Sequence, residues 1–233
     1  MFHVKHTACF MRGVFHVKHA EKEIGMDKIP AIFPRGDGWW VPSAQRIACS
    51  KSSALKATPE IIVIHWTGGT YGDIPTRTRR IRDWAADASA KASVHFTIMR
   101  DGTIYQLIPT TRAAWHAGES SWRTAAGVTR KSCNYYSIGV EIDNVGPVTR
   151  KGAGYVDSYG RAFPGEVVAI GSKYYEQPTM DQLIALRMVI DALRTEYKVA
   201  IHDIVGHCDV SPGRKIDPGP CVTRQILGFE DGD

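Results

Sequence analysis

The chain has 233 residues, of which 43% are hydrophobic and 23% charged, a composition typical of a folded globular protein rather than a disordered or fibrous one. No run approaches the roughly 18 apolar residues of a membrane-spanning helix, and five cysteines without a CxxC pair argue against a disulfide framework. The net charge of +5 is compatible with an anionic polymer, either a cell-wall glycan or a nucleic acid, and equally with a merely soluble surface.

The first 28 residues contain the pentapeptide Phe-His-Val-Lys-His twice, at 2–6 and at 15–19. The repeat allows a metal-binding tract or a dispensable extension that precedes an alternative start at Met26. No apolar stretch of signal-peptide length follows, so we expect synthesis in the cytoplasm without an anchor. We predict a disordered or non-native extension at 1–28. An irregular arm is predicted at 29–59, in which Trp39-Trp40 covers an apolar edge or stacks on sugar.

Residues 61–64 form an apolar, β-branched run, which predicts a strand buried on both faces. His65 ends this run, just before the glycine pair Gly68-Gly69 at which the backbone can turn sharply. A histidine in this position is either a metal ligand or a hydrogen-bonded core residue. Residues 76–90 then predict a helix with Ile81, Trp84 and Ala85 on one side. Its arginines, Arg77 among them, either form a solvated face or attract an anionic substrate.

Residues 94–100 and 103–108 alternate in polarity around Asp101-Gly102, which predicts a β-hairpin. Val94, Phe96 and Ile98 are expected on one face. His95 falls on the opposite face, where it points either to a site or to a polar contact. The following loop contains Trp115 and His116, and His116 is either a substrate contact or a surface histidine.

Residues 137–142 predict another strand, in which Glu141 lies between two apolar residues. Because charged side chains are rarely buried without a partner, Glu141 should face a metal, a cation or solvent, where it could act as a general base. The Gly- and Tyr-rich segment 146–178 is predicted to be a loop or a small β insertion. Thr179 can cap the amphipathic helix that follows. This order of elements predicts an α/β domain with a mixed central sheet flanked by helices.

The stretch 206–220 follows the apolar run 201–205 and combines His207 with two carboxylates on a backbone rich in Pro and Gly. His65 and His207 therefore come at the ends of two apolar strands, with a carboxylate nearby. A zinc ion takes such nitrogen and oxygen ligands, so the two strand ends are a candidate metal site.

Five motifs in this order resemble the zinc-dependent N-acetylmuramoyl-L-alanine amidases, the superfamily that includes peptidoglycan-recognition proteins and amidase-type phage lysozymes. They are Ile64-His65-Trp66-Thr67, Ser93-Val94-His95-Phe96 with Asp101-Gly102-Thr103-Ile104-Tyr105-Gln106, Ala114-Trp115-His116-Ala117-Gly118, Ser137-Ile138-Gly139-Val140-Glu141, and Gly206-His207-x-Asp209-x2-Pro212-Gly213-Arg214-Lys215-x-Asp217-Pro218-Gly219. The resemblance spans roughly residues 60 to 220. It implies the fold of that superfamily, with a catalytic domain at 60–226 that carries an insertion at 146–178 and ends in a tail at 227–233.

The resemblance also implies a role for each matching position. His65, His207 and Asp217 match the ligands of one Zn²⁺ ion, although Cys208 and Cys221 are alternative ligands of greater softness. Glu141 matches the general base and Lys215 the cation that faces the scissile carbonyl oxygen. We further expect substrate contacts at His116, Trp115 and His95.

The implied activity is hydrolysis of the amide bond between N-acetylmuramic acid and the L-alanine of the stem peptide, in peptidoglycan or in muropeptides. The enzyme would act on cell-wall material as a released lysin or as a cytoplasmic recycling enzyme. The alternative is an inactive peptidoglycan-binding module, which would be expected to lack a zinc ligand. A nucleic-acid partner would explain the net charge but not the ligand constellation, so we predict none.

Overall fold

The computed structural model describes residues 43–223 and 225–229, together with residues 38 and 41. The predictions for the extension at 1–28 and for Trp39-Trp40 lie outside the described residues. Of the arm predicted at 29–59, residues 43–59 are described along with 38 and 41.

The described residues form fifteen β-strands and three α-helices. The strands, in chain order, are β1 Gln45–Arg46, β2 Ser52–Ala54, β3 Ile61–Trp66, β4 Phe96–Ile98, β5 Ile104–Gln106, β6 Arg112–Ala114, β7 Ser121–Arg123, β8 Thr129–Lys131, β9 Ser137–Ile142, β10 Pro147–Lys151, β11 Gly154–Val156, β12 Ala162–Phe163, β13 Val167–Ile170, β14 Lys173–Glu176 and β15 Ile204–Gly206. The helices are α1 Ile74–Ala86, α2 Met180–Tyr197 and the single turn α3 His207–Val210. Two 3-10 turns cover Cys133–Tyr135 and Ile201–Asp203.

Six strands form the central sheet in the order β1-β5-β4-β9-β3-β15. The pairs β4–β9, β9–β3 and β3–β15 are parallel, whereas β4 and β5 pair antiparallel on either side of Asp101-Gly102, as the predicted hairpin requires. The sheet is therefore mixed, and the α/β class predicted from the order of elements is confirmed.

The two faces of the sheet are covered by different parts of the chain. Ile62 and Ile64 of β3 pack in the cluster that contains the apolar side of α2, whereas Ile61 and Val63 pack on the opposite face, against the segment that follows β6. Because side chains alternate along a strand, His65 faces the same side as Ile61 and Val63. Helix α1 covers the part of this second face near β5, through Ile81 and Ala85.

Helices α1 and α2 begin at residues that cap them with side-chain oxygens. The carboxylate of Asp73 accepts the N–H of Thr76 at 2.8 Å before α1. Before α2, Thr179 and Gln182 form a reciprocal capping box, in which each side chain accepts the backbone N–H of the other residue. The cap predicted at Thr179 is therefore present, and it satisfies amide groups that a helix start would otherwise leave without a partner.

The insertion predicted at 146–178 is a second, five-stranded antiparallel sheet, in the order β12-β11-β10-β14-β13. Its own small core contains Val148 and Phe163, with Tyr71 of the main domain packed against it. It is also joined to the central sheet by a buried ion pair, in which Arg100 donates to Glu176 at 2.6 Å. The small β form of this segment was one of the two predicted alternatives.

Three local predictions differ from the structure. The arm predicted to be irregular contains β1, which pairs with β5, and β2, which pairs with β6. The tail predicted from residue 227 instead supplies Leu227 and Phe229 to the main core. Val94 does not share the cluster of Phe96 and Ile98 but packs on the α1 side, because it precedes β4 rather than belonging to it.

None of the helices in the described part of the chain is both long enough and apolar enough to cross a membrane.

Candidate active site

Three side chains meet where β3 and β15 end. Nδ1 of His65 lies 3.0 Å from Nδ1 of His207, and Oδ2 of Asp217 lies 3.0 Å from each of these two nitrogens. All three residues are buried, and among the described residues they form a group whose geometry could hold a metal ion. The structure thus brings together the three residues that the sequence predicts as zinc ligands.

The topology of the sheet explains why the two histidines meet. Strands β3 and β15 are parallel neighbours in which Ile64 pairs with Gly206. The next residues along the chain are His65 and His207, so the two histidines lie side by side. The loop after α3 then folds back, and the carbonyl oxygen of Asp217 accepts the N–H of Cys208 at 2.8 Å. Arg214 fastens this loop by donating to the carbonyl oxygens of two residues in the loop after β6, Ala117 at 2.6 Å and Glu119 at 2.8 Å.

The donor set fits a zinc ion. Ligand atoms bound at about 2.0–2.1 Å in a tetrahedron lie about 3.3 Å from one another, close to the 3.0 Å separations of the three atoms here. Burial lowers the pKa of His65 to about 4, so its imidazole is neutral at pH 7, as a ligand must be. Burial acts to raise the pKa of Asp217, but the neighbouring His207 and His65 rings hold it well below its usual range.

Glu141 lies on β9 directly opposite His65 of β3 in the parallel register, and the residue is half-buried. Burial raises the pKa of Glu141 to about 8, the nearby Asp217 carboxylate raises it further, and the charges of Arg77 and Lys215 act in the opposite direction. A carboxyl group whose pKa lies near neutral pH is suited to accept and return a proton. A cation held by the three ligands would lower this pKa.

Arg77 of α1 is buried, although the sequence predicted it on a solvated face or in contact with an anionic substrate. Its guanidinium is paired with the carboxylate of Asp143, two residues after Glu141. Its other nitrogens donate to the Thr70 carbonyl at 2.6 Å and to the Thr67 hydroxyl at 2.7 Å. Arg77 therefore connects the turn after His65 to the end of β9. Helical spacing places Arg77 on the same side as Ile81 and Ala85. It could not reveal the partners, because they come from the turn after His65 and from the residue that follows β9.

The three predicted substrate contacts occupy different environments. His95 is completely buried, and both ring nitrogens bond to backbone, Nδ1 to the N–H of Gly139 at 3.0 Å and Nε2 to the carbonyl of Arg112 at 2.9 Å. It therefore cannot reach a substrate, and the alternative of a satisfied polar contact describes it. Trp115 is half-buried, with its indole N–H on the Ser53 hydroxyl at 2.9 Å. His116 is half-buried too, and its ring contacts His65.

Comparison with known proteins agrees with this geometry. The family model for N-acetylmuramoyl-L-alanine amidase matches residues 55–220. The chain belongs to this family. The 1,6-anhydro-N-acetylmuramyl-L-alanine amidase AmpD of Escherichia coli is 32% identical over 196 residues, which cover 78% of the chain and 88% of the relative. The AmpD of Citrobacter freundii is also 32% identical, but that match covers 59% of the chain and only 56% of the relative's own length.

Solved amidases share the fold. A selenomethionine derivative of AmpD superimposes with a TM-score of 0.56 at 25% identity, over 83% of the chain and 96% of the relative. The amidase AmiD of Escherichia coli, solved with anhydro-N-acetylmuramic acid-L-Ala-D-gamma-Glu-L-Lys, gives a TM-score of 0.52 at 30% identity, over 76% of the chain and 59% of AmiD. The amidase fold predicted from the five motifs is confirmed.

Neither cysteine near the site of this amidase belongs to the group of three metal-binding candidates. The Sγ atom of Cys208 lies 3.8 Å from a carboxylate oxygen of Asp209. Burial raises the pKa of the Cys208 thiol to about 11, and the Asp209 charge adds to this shift. Since zinc binds the thiolate, this environment favours Asp217 over Cys208 as the third ligand.

Several residues around the site of this amidase had no predicted role of their own. Asp143 could have been found, because it lies two residues after Glu141, directly after the end of β9, where the alternation of the strand predicts the same side. Asn134 accepts the backbone N–H groups of His116 at 3.0 Å and Ala117 at 2.7 Å. Nothing in the sequence distinguishes Asn134 from an ordinary turn residue.

Proposed function

We propose that this amidase hydrolyses the amide bond between N-acetylmuramic acid and the L-alanine of the stem peptide, with one zinc ion held by His65, His207 and Asp217. The convergence of these three ligand atoms beside Glu141 is the observation that carries the proposal. The substrate class is a peptidoglycan fragment, by similarity to AmpD and to AmiD with its bound anhydromuropeptide. The catalytic domain would extend over residues 60–226 with the insertion at 146–178.

Zinc, when bound, would supply Lewis-acid chemistry that activates water and polarises the scissile carbonyl. Glu141 is the general base. Its carboxylate takes one proton from water as the water oxygen attacks the lactyl carbonyl carbon. When the carbon–nitrogen bond breaks, Glu141 returns that proton to the leaving amine nitrogen of L-alanine. The second proton of the water passes from the new carboxyl group to the amine, so the products are a lactyl carboxylate and a stem peptide with an amino-terminal ammonium group.

Lys215 stabilises the negative charge that develops on the carbonyl oxygen. Its ammonium group acts electrostatically on both Glu141 and His65, so it belongs to the same polar site. A cation aimed at a developing oxyanion commonly lowers the barrier by about 3–4 kcal/mol. Trp115 directly precedes His116 in the chain and remains a proposed substrate contact.

The proposal is tested by incubating the chain with purified peptidoglycan and, separately, with a 1,6-anhydromuropeptide, each with and without a zinc chelator. Mass analysis should find stem peptides that begin with L-alanine, and their release should stop on chelation and resume when zinc is restored. Reducing sugar ends or cleaved peptide cross-links would contradict the proposed bond. Binding of either substrate without any product would favour the inactive recognition module instead. The relative rates on the two substrates would assign the preferred one.

A further inference from the structure

Both candidate zinc-binding histidines direct their second ring nitrogen to the same two-residue segment. Nε2 of His65 lies 2.9 Å from Nδ1 of His116, and Nε2 of His207 lies 3.1 Å from the carbonyl oxygen of Ala117. A single segment after β6 is thus in contact with two candidate ligands, one in β3 and the other at the start of α3. The ring of His116 is part of this arrangement rather than a free side chain at the surface.

The hydrogen on His207 is fixed by the chemistry of its partner. A carbonyl oxygen can only accept a hydrogen bond, so Nε2 of His207 carries the hydrogen that it donates to Ala117 at 3.1 Å. Nη2 of Arg214 lies farther from Nε2, at 3.4 Å, and donates instead to nearer oxygens, those of Ala117 at 2.6 Å and Ser211 at 2.7 Å. In the neutral ring, Nδ1 then has a lone pair, and this is the nitrogen that lies 3.0 Å from Asp217.

The hydrogen-bond partners of His116 determine which ring nitrogen of His65 carries the hydrogen. The hydroxyl of Ser137 donates to the carbonyl oxygen of Cys133 at 2.7 Å, so its oxygen must accept from Nε2 of His116 at 3.1 Å. A neutral imidazole carries a single ring hydrogen, which in His116 is therefore the one on Nε2. Its Nδ1 is consequently an acceptor. His65 must therefore donate from Nε2, which leaves the lone pair on its Nδ1 facing the other two ligands.

The segment itself is held from two sides. The Oδ1 atom of Asn134 accepts both backbone N–H groups, those of His116 and Ala117. Asn134 lies in the same 3-10 turn as Cys133, the residue whose carbonyl accepts the hydroxyl of Ser137. On the other side, the His116 ring packs on Gly139 of β9, where an added Cβ would lie 2.5 Å from the ring. The position of the ring is therefore determined by β9 and by the turn together.

We propose that His116, Ser137 and Asn134 are positioning residues of the zinc site, which hold the two ligand histidines as Nε2–H tautomers with both Nδ1 atoms directed to the metal. This inference rests on the proposed zinc-dependent function. It assigns to His116 a role toward His65 in place of the predicted contact with substrate. Partners that orient metal-bound histidines in this way typically contribute 10- to 100-fold, as an order of magnitude, to metal affinity.

The first test measures zinc affinity of the full chain by competition with a chromophoric chelator. His116→Ala should weaken zinc binding by roughly 10- to 100-fold. His116→Asn should recover most of this loss, because its Oδ1 can accept the hydrogen of His65 in place of Nδ1. Ser137→Ala should lose less than His116→Ala. Circular dichroism establishes that each variant is folded.

Ser93→Ala is the matched control for Ser137→Ala. Ser93 is equally buried, and its hydroxyl also donates to a backbone carbonyl, that of Lys51, but the group it accepts from is the backbone N–H of Trp115 rather than the His116 ring. The zinc affinity of Ser93→Ala should equal that of the wild type. If His116→Ala does not fold, Gly139→Ala tests the same link, because the added methyl group displaces the His116 ring and should likewise weaken zinc binding.

Long-range ¹H–¹⁵N NMR of the histidine rings is a second readout that does not depend on turnover. It should find the hydrogen of His65 on Nε2 in the wild type and a mixture of tautomers in His116→Ala. A hydrogen on Nδ1 of His65, or wild-type zinc affinity in the folded His116→Ala variant, would overturn the inference. Wild-type chain that binds zinc as expected but releases no stem peptide would overturn only the proposed activity. Active wild type with unchanged affinity in His116→Ala would overturn only the positioning roles.

Discussion

Glu141 lies directly opposite His65 in the parallel pairing of β9 with β3. Neighbouring strands are about 4.8 Å apart, and paired residues point to the same face. The proposed base and the first proposed ligand are therefore held at a fixed separation by backbone hydrogen bonds, with no loop movement required. A slip of one residue in this pairing would turn Glu141 into the apolar core.

Replacing Glu141 with Gln should abolish most turnover without loss of the metal. Glutamine has the same shape but cannot take a proton from water, so kcat should fall by about 10²- to 10⁴-fold. Zinc content should stay at one ion per chain, because Glu141 is not among the three ligand candidates. Stem-peptide release and metal analysis on the same preparation measure both quantities.

Glu166→Gln is a suitable control, since Glu166 is an exposed residue of the insertion. It should retain wild-type kcat and zinc content. Activity of Glu141→Gln within tenfold of the wild type, with full zinc content, would mean that another group acts as the base.

The identity of the third ligand can be tested with three substitutions. Asp217→Ala should lower zinc affinity by more than about 100-fold, since it removes a direct ligand rather than a partner of one. Cys208→Ser and Cys221→Ser should each bind zinc with wild-type affinity. Chelator competition measures all three. If Asp217→Ala bound zinc normally while Cys208→Ser did not, the ligand set would be His65, His207 and a cysteine.

The ion pair between Arg100 and Glu176 should contribute strongly to stability. Arg100 donates to both oxygens of Glu176, at 2.6 and 3.1 Å, and to Asp143 at 2.6 Å, and all three side chains are at most 10% exposed. Glu176→Ala leaves a buried guanidinium with one partner fewer, which should lower the free energy of unfolding by about 3–5 kcal/mol. Urea unfolding followed by circular dichroism measures this loss.

The exposed pair of Arg79 and Asp83 provides the control for that measurement. Its two side chains are 68% and 67% exposed, so Asp83→Ala should change the free energy of unfolding by less than about 1 kcal/mol. Equal losses in Glu176→Ala and Asp83→Ala would show that the buried pair does not anchor the insertion.

The features that the sequence predicted correctly are those set by local pattern. The run at 61–64, the alternation around Glu141 and the cap at Thr179 each specify an element within a few residues, and the structure has all three. The family motifs then assigned the ligands that these elements bring together.

The features that the sequence missed depend on tertiary partners. Arg77 lies four residues before Ile81 on the buried side of α1, yet nothing in the local pattern indicates that its partner is Asp143. The alternation of polarity around Phe96 allows His95 to point to the site. In the structure its ring nitrogens bond instead to the N–H of Gly139 and to the carbonyl of Arg112. Residues that satisfy buried polar groups across the fold cannot be recognised until the strand register is known.

His95 should make the stability of the chain depend on pH in the acid range. Burial lowers the pKa of His95 from 6.5 to about 4, because the neutral ring has both nitrogens bonded to backbone and a second ring hydrogen would face the N–H of Gly139. Between these two pH values the unfolded chain binds the proton and the folded chain does not. The contribution of His95 to the free energy of unfolding is therefore complete above pH 6.5 and is lost as the pH falls toward 4.

Urea unfolding of the zinc-free chain at a series of pH values from 7.5 to about 4 measures this dependence. The comparison is with His95→Gln, whose amide can still donate to the Arg112 carbonyl but does not titrate. The variant should be less stable at pH 7.5, yet it should lose less stability on acidification. The other titrating groups, His65 and His116 among them, are the same in both chains. The difference between the two slopes of unfolding free energy against pH therefore measures the contribution of His95. Parallel slopes would mean that the folded chain accommodates the charged ring.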